Sequence, residues 1–396
     1  MVKEFLREVL NLKSNKDIFD SYRNFLNTCH EGEKYTFIVG ANDSIGVQQS
    51  KDIKRMIDRE YDVEGKSNKI YTYDMFPNYE YFICLNPGMF SNKIFGIELS
   101  LCLDTNTAGL FSEFIETGGK HKSKIVECVS SSSNISLNIL FYLLENIKDP
   151  DKQSISLRAM KIFDNLCKFN SLEREYLGSD GILRYNQNHY EKMRNFLLYD
   201  FSDEIFAEYN FVYAYLVFAF LEKNSTNFEL KESFFHILTI MQENGTNYSE
   251  LLEFILNYFK NGNNKFFCAV KTENFAEIRS KIHNMAWDIF FYYSMRYKFA
   301  QCIEGAKFGY PVFATMDKHF TDSYKNLFNN KVIVMANNVV EYCVRDCSNN
   351  ILDIMDICGD IEDNFQRDKI IDTKARYQLS LELKERSERL LNNFMD

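Results

Sequence analysis

Ile94-Phe95-Gly96-Ile97-Glu98-Leu99-Ser100-Leu101-Cys102-Leu103-Asp104-Thr105-Asn106 is the stretch on which the architecture of this chain turns. Ile97, Leu99, Leu101 and Leu103 alternate with Glu98, Ser100 and Cys102, the period of two that marks a β-strand. The strand runs straight into Asp104-Thr105-Asn106, and a helical pattern opens at Ala108. An acid at the carboxyl end of a strand, facing a strand-to-helix crevice, stands where α/β folds hold their ligands. It points to a divalent metal or to phosphate chemistry nearby. Asp and Asn also cap helices, because their short side chains accept from the first free backbone N–H groups, and that commoner role fits the same residues.

The C-terminal part of the chain supplies a second pattern of this kind. Tyr310-Pro311-Val312-Phe313-Ala314 reads as a buried strand followed by Thr315-Met316-Asp317 and a helical run from Lys318. Another strand, Val332-Ile333-Val334-Met335-Ala336, follows. Upstream, Ala286-Trp287-Asp288 sits in a long helical pattern from about Phe275 to Cys302. Strand-Asp-Thr-Asn, a helix with an inward acid, then strand-Thr-x-Asp, resembles the PIN-domain nucleases over roughly residues 94–145 and 274–340.

The resemblance implies a set of carboxylates that hold Mg2+ or Mn2+. Metal-dependent phosphodiester cleavage needs hard oxygen ligands converging on one or two such ions, which activate water and offset charge on phosphorus. Carried over by motif position, the ligands are Asp104, Asp288 and Asp317. Thr315 would orient a ligand or a water, as would Asn106, although an Asn so close behind a strand is equally a turn residue. Asp288 lies among Trp287, Ile289 and Phe290, so it is paired, metal-bound or on a narrow solvent stripe. The family pattern also expects an acid on an intervening helix. Glu145 fits, on a helix read over 134–148 and nearly in line with Asn138. Glu173 and Glu175 are its rivals, as is a plain surface role. His283 and His319 lie close in sequence to the proposed acids and could touch phosphate, but neither has ligand spacing.

Composition narrows the field. The formal net charge of −10 argues against nonspecific duplex binding, which depends on many Lys and Arg contacts to phosphate. An acid cluster that holds cations remains compatible with it. The N-terminal Met-Val-Lys-Glu-Phe-Leu-Arg-Glu-Val-Leu reads as an amphipathic helix carrying acids, unlike a signal peptide. Phe211–Leu221, the longest nearly continuous apolar run, is shorter than the roughly 20 residues a bilayer requires. The ten cysteines form no paired framework; Cys343 and Cys347 have helix spacing, with no second pair or His to complete a zinc site. Reduced thiols in a cytoplasmic protein are expected.

Along the chain, helices over about 2–12 and 16–29 lead to strands at Tyr35–Val39, Lys69–Tyr73 and Tyr81–Leu85. Ile38–Gly46 ends a strand with glycines but lacks the third glycine of a dinucleotide fingerprint and the Gly-Lys-Ser/Thr of a P-loop, so a tight turn is expected. Gly118-Gly119 should stop the helix that opens at Ala108. Residues 151–270 read as almost continuous helix, with breaks near Gly178–Gly181, Asn224–Asn227 and Asn261–Asn264. The tail from Arg367 to Phe394 is a mixed-charge docking helix with Leu379, Leu383, Leu390 and Phe394 at helical spacing, or an oligomer contact.

The expected architecture is α/β: a PIN-like parallel-sheet core (94–150 and 271–345), a helical insertion (151–270), an α+β N-terminal region (1–93) and a helical tail (346–396). The expected activity, implied by the resemblance, is metal-dependent endonuclease action on RNA, single strands included, with a toxin or defence role. No membrane partner is expected, and a homo-oligomer is compatible. The alternatives are a non-catalytic interaction protein with a degenerate PIN-like fold, and a phosphohydrolase acting on nucleotides.

Overall fold

The computed structural model describes residues 2–12, 14–29, 35–43, 60–63, 69–76, 78–85, 96–120, 123–132, 134–149, 151–152, 154–173, 183–199, 205–246, 248–261, 275–299, 307–317, 330–336, 339–345 and 373–395. It is a mixed α/β protein whose chain divides into two units. Unit 1 comprises Met1–Phe201, Ser294–Thr321 and Phe328–Asp346; unit 2 comprises Ser202–Tyr293, Asp322–Leu327 and Cys347–Asp396. The expected boundaries at 93/94 and 150/151 both fall inside unit 1.

Unit 1 holds two sheets. Strands β1 (Tyr35–Ala41), β4 (Tyr81–Leu85), β8 (Asn330–Ala336) and β9 (Val339–Arg345) form an antiparallel sheet in the order β4-β1-β8-β9. Helices α1 (Val2–Asn11) and α2 (Asn15–Thr28) belong to its core, where Phe5, Tyr22 and Phe25 gather around Phe37. The apolar spacing of α1 explains this: Phe5, Leu6 and Val9 lie on one helical face and are buried together. Gly40 sits within β1, where a Cβ would come within 2.5 Å of the Tyr79 ring, so the glycine permits a close approach that no other residue allows. Cys343, read as part of a helix face, lies on β9.

The second sheet has the order β2-β3-β7-β5-β6, from β2 (Glu60–Asp62), β3 (Lys69–Asp74), β7 (Lys307–Thr315), β5 (Gly96–Leu103) and β6 (Ile135–Asn138). β5 runs parallel to both β6 and β7, whereas β3 joins β7 antiparallel. The parallel sheet expected from the sequence is therefore a mixed one. The antiparallel strands come from the first 93 residues, whose strands thus enter both sheets.

Residues 134–148 do not form the single helix expected. Ile135 and Leu137 are buried on β6, and Asn138 then accepts a hydrogen bond from Leu140 N at 3.1 Å to open helix α5 (Leu140–Asn146). The reason is tertiary: Ile135-Ser136-Leu137-Asn138 alternates with period two over too few residues to decide alone, and pairing with the edge of β5 selects the strand. Ser130 and Ser131, just upstream, close α4 (Lys124–Ser131). Helix α3 (Thr105–Glu116) does end at the glycine pair, with Gly118 at φ 62° and Gly119 at φ 83°, a conformation that glycine adopts without a Cβ penalty. Helix α6 (Leu157–Asn170) packs on α3 through Phe169 against Phe111 and Phe114, and α7 (Gln187–Tyr199) follows.

Unit 2 is helical, built on α8 (Phe206–Lys223), α9 (Leu230–Glu243), α10 (Ser249–Asn261), α11 (Phe275–Phe299, within this unit as far as Tyr293) and α12 (Thr373–Met395). α8 is buried on all sides from Phe206 to Phe220 save Glu208, as its nearly uniform apolar sequence requires. α12 runs beside it: Arg376 meets Glu208, Ser380 meets Asn210, Glu388 meets Tyr213 and Phe394 meets Phe220. The inward face of α12 carries Ser380, Leu383, Lys384, Ser387 and Leu391, while Leu390 and Phe394 of the expected apolar stripe are substantially exposed. Polar groups fill that seam because α8 offers Glu208, Asn210 and Tyr213 to satisfy them. No described helix is long and apolar enough to cross a membrane.

Candidate functional site

Asp104 follows the last residue of β5 and is the N-cap of α3. Its Oδ1 accepts from Thr107 N at 2.6 Å, satisfying one of the free amides that every helix start leaves. Its Oδ2 accepts from the Thr315 hydroxyl at 2.8 Å and from Met316 N at 3.1 Å, just beyond β7. The Thr315 hydroxyl in turn accepts from Asp317 N at 3.0 Å. One buried carboxylate thus ties the carboxyl ends of two neighbouring parallel strands to the start of a helix. Burial pushes the Asp104 carboxyl above its ordinary range, while the hydrogen bonds from Thr107, Thr315 and Met316 pull the other way. Its capping role, read as the commoner possibility from sequence, is realised in full.

Glu145 lies on α5 and accepts from the Thr105 hydroxyl at 2.8 Å. Asn146 donates to the same hydroxyl at 2.7 Å, and Lys152 donates to the Glu145 carbonyl at 2.6 Å. Asp104, Glu145 and Asp317 are therefore all joined to the β5–α3 corner by hydrogen bonds. Asp288 lies on α11 in unit 2, half-buried beside the buried Trp287. His283, on the same helix, accepts from Trp287 Nε1 at 3.1 Å and meets the Tyr209 hydroxyl at 2.5 Å, with Tyr209 and Trp287 stacked at 4.3 Å. An indole N–H only donates, so His283 Nε2 is the acceptor and the ring proton sits on Nδ1. That is a core aromatic cluster within unit 2. Glu173 is half-buried after α6, and Glu175 and His319 lie outside the described residues. Among the described residues, no three His, Cys, Asp or Glu side chains cluster closely enough to hold a metal ion.

Beside the β5–α3 corner opens a cleft of about 730 Å3. Thr105, Asn106, Asn146 and Asp317 line it at the strand ends, together with Tyr142 and Met316. Gly109, Leu110 and Glu113 continue it along α3, and Ser156, Arg158, Ala159 and Ile162 contribute from α6 and the residues before it. The volume lies in the range of about 300–1,000 Å3 typical of small-ligand sites. Asn106 and Asp317 belong to motifs legible in the sequence, whereas Arg158, Glu113 and Gly109 do not. For the α3 residues a signal existed: 106, 109, 110 and 113 are spaced i, i+3, i+4 and i+7, one helical face. Arg158 had none, since only the packing of α6 on α3 brings it there.

No protein-family model, no curated protein and no solved structure matches this chain.

Proposed function

We propose that unit 1 carries a PIN-like core and cleaves phosphodiester bonds with magnesium or manganese, RNA being the substrate that the family resemblance implies. The observation that carries this reading is the Asp104–Thr315 hydrogen bond. It joins the Asp-Thr-Asn and Thr-x-Asp motifs at the carboxyl ends of adjacent parallel strands, the end at which such sheets take ligands. Asp317 and Asn106 face the cleft next to it. Oxygen donors of this type suit magnesium, which keeps several waters and needs one or two carboxylates alongside substrate phosphate. Asp317 would hold the ion together with the amide oxygen of Asn106, both on the cleft wall, while the buried Asp104 keeps the strand ends in place beside them. When bound, the ion would supply an activated water and offset charge at phosphorus.

The chain's own groups do the positioning. Asp104 locks residues 315–316 to the start of α3, and Thr315 holds the Asp317 amide, so that the two motifs move as one piece. Glu145 and Asn146 fix the Thr105 side chain at the cleft wall. A second reading, a phosphohydrolase acting on free nucleotides, is favoured by the cleft's small-ligand volume.

The test uses the purified full chain with RNA oligonucleotides and with nucleotides, in magnesium, manganese or a chelator. Turnover is expected only with the ions, and Asp317→Asn should lower it on the order of 100-fold, the usual effect of removing one group that stabilises developing charge. Equal turnover by wild type and Asp317→Asn would overturn the reading. Turnover of nucleotides without RNA cleavage would select the second one.

A further inference from the structure

Asn106, Gly109, Leu110 and Glu113 present one face of α3 to the cleft, and α6 faces them with Arg158 and Ile162. Gly109 stands in the middle of that face, and a Cβ added to it would meet nothing within 4 Å. A glycine inside a helix weakens it relative to alanine; here the missing side chain widens the cleft. Arg158 and Glu113 are both exposed and line the same cavity. Among the described residues, neither is engaged in an ion pair. A ligand suited to this set carries an anion for the guanidinium, N–H donors for the carboxylate, and a flat apolar body for Leu110 and Ile162.

We propose that this cleft binds a single nucleotide whose base is guanine. An ionised carboxylate only accepts hydrogen bonds, so Glu113 selects a base by its N–H groups. Guanine offers two adjacent ones, N1–H and the 2-amino group, to match two carboxylate oxygens. Uracil offers one, flanked by carbonyls that a carboxylate repels. Arg158 takes the phosphate, for which a planar guanidinium is suited by its paired donors. Asn106, whose oxygen would face the ion, keeps its two amide N–H donors for the ligand's polar edge. This deepens the proposed function by naming the substrate class of the same cleft, and it rests on that reading only where binding leads to cleavage.

Calorimetric titration of the full chain with GMP, guanosine, UMP and inorganic phosphate, in magnesium and in chelator, tests it. GMP should bind at least tenfold more tightly than UMP. Arg158→Ala should weaken GMP tenfold or more and leave guanosine unchanged, and Glu113→Gln should bring GMP and UMP close together. Gly109→Leu should fill the cleft and abolish GMP binding without lowering the melting temperature, whereas Gly109→Ala should keep the binding. Equal affinity for GMP and UMP, binding of inorganic phosphate with no base preference, or undiminished GMP binding by Gly109→Leu would each overturn the inference. GMP binding without any turnover would leave it standing and remove the catalytic reading. RNA cleavage without GMP binding would do the reverse.

Discussion

Asp104→Ala should destabilise unit 1 by about 2–5 kcal/mol. An N-cap lost to alanine costs about 0.5–2 kcal/mol, and here the cap is the 2.6 Å bond to Thr107 N. The same substitution strands the Thr315 hydroxyl and the Met316 amide that Oδ2 accepts. A buried donor left unsatisfied costs about 1–3 kcal/mol; Thr315 is 1% exposed, so water reaches its hydroxyl poorly, while the half-buried Met316 falls at the low end. Asp104→Asn should cost less, since the amide oxygen can keep the Thr107 cap and the amide nitrogen can donate to the Thr315 oxygen, although Met316 N and the Thr315 O–H proton both lose the acceptor that Oδ2 gave them. Thr315→Val should cost about 1–3 kcal/mol, because it takes one donor from Asp104 and the acceptor from Asp317 N. Urea unfolding measures the stabilities, and amide exchange at Thr107 and Met316 reads the two local bonds directly. A double-mutant cycle should give a coupling of about 0.5–3 kcal/mol, as for residues in direct contact. An Asp104→Ala protein within 0.5 kcal/mol of wild type, with both amides still protected, would refute the account of Asp104 as the tie between strand ends and helix.

The raised Asp104 pKa has a definite sign in stability. A carboxyl titrates near 3.9 in the unfolded chain, so between that value and its higher folded value the folded state binds more proton. Its contribution is fully present below about pH 3.9 and is lost as pH rises through the folded pKa. The gap in stability between wild type and Asp104→Asn should therefore narrow as the pH is raised from 4 towards 8, and a gap that widens would contradict it. Burial pushes the Cys167 thiol up to about 12, so it should resist alkylation by iodoacetamide at pH 8 in the folded protein and react on unfolding; mass spectrometry of the labelled peptides decides this.

Several features of this fold were legible in the residues themselves. The alternation of Leu99, Leu101 and Leu103 is a strand, the abrupt change at Asp104 is a helix start, and Gly118-Gly119 is a helix stop, because period and capping are local properties. The almost uniform apolar run of α8 likewise announces a helix with no free side. Tertiary structure decided what depends on partners distant in sequence. Ile135–Asn138 is too short for its period to distinguish strand from helix, and only the edge of β5 settles it. That β3 pairs antiparallel with β7 has no trace in either segment, since pairing direction follows from chain path. The polar seam between α12 and α8 is invisible in an apolar-spacing count that looks for Leu390 and Phe394. Arg158, with no motif around it, comes to the cleft because Phe169 anchors α6 against Phe111 and Phe114 of α3. Local chemistry names caps, turns and periods, but the convergence of side chains on a cavity is a property of packing between elements far apart in the chain.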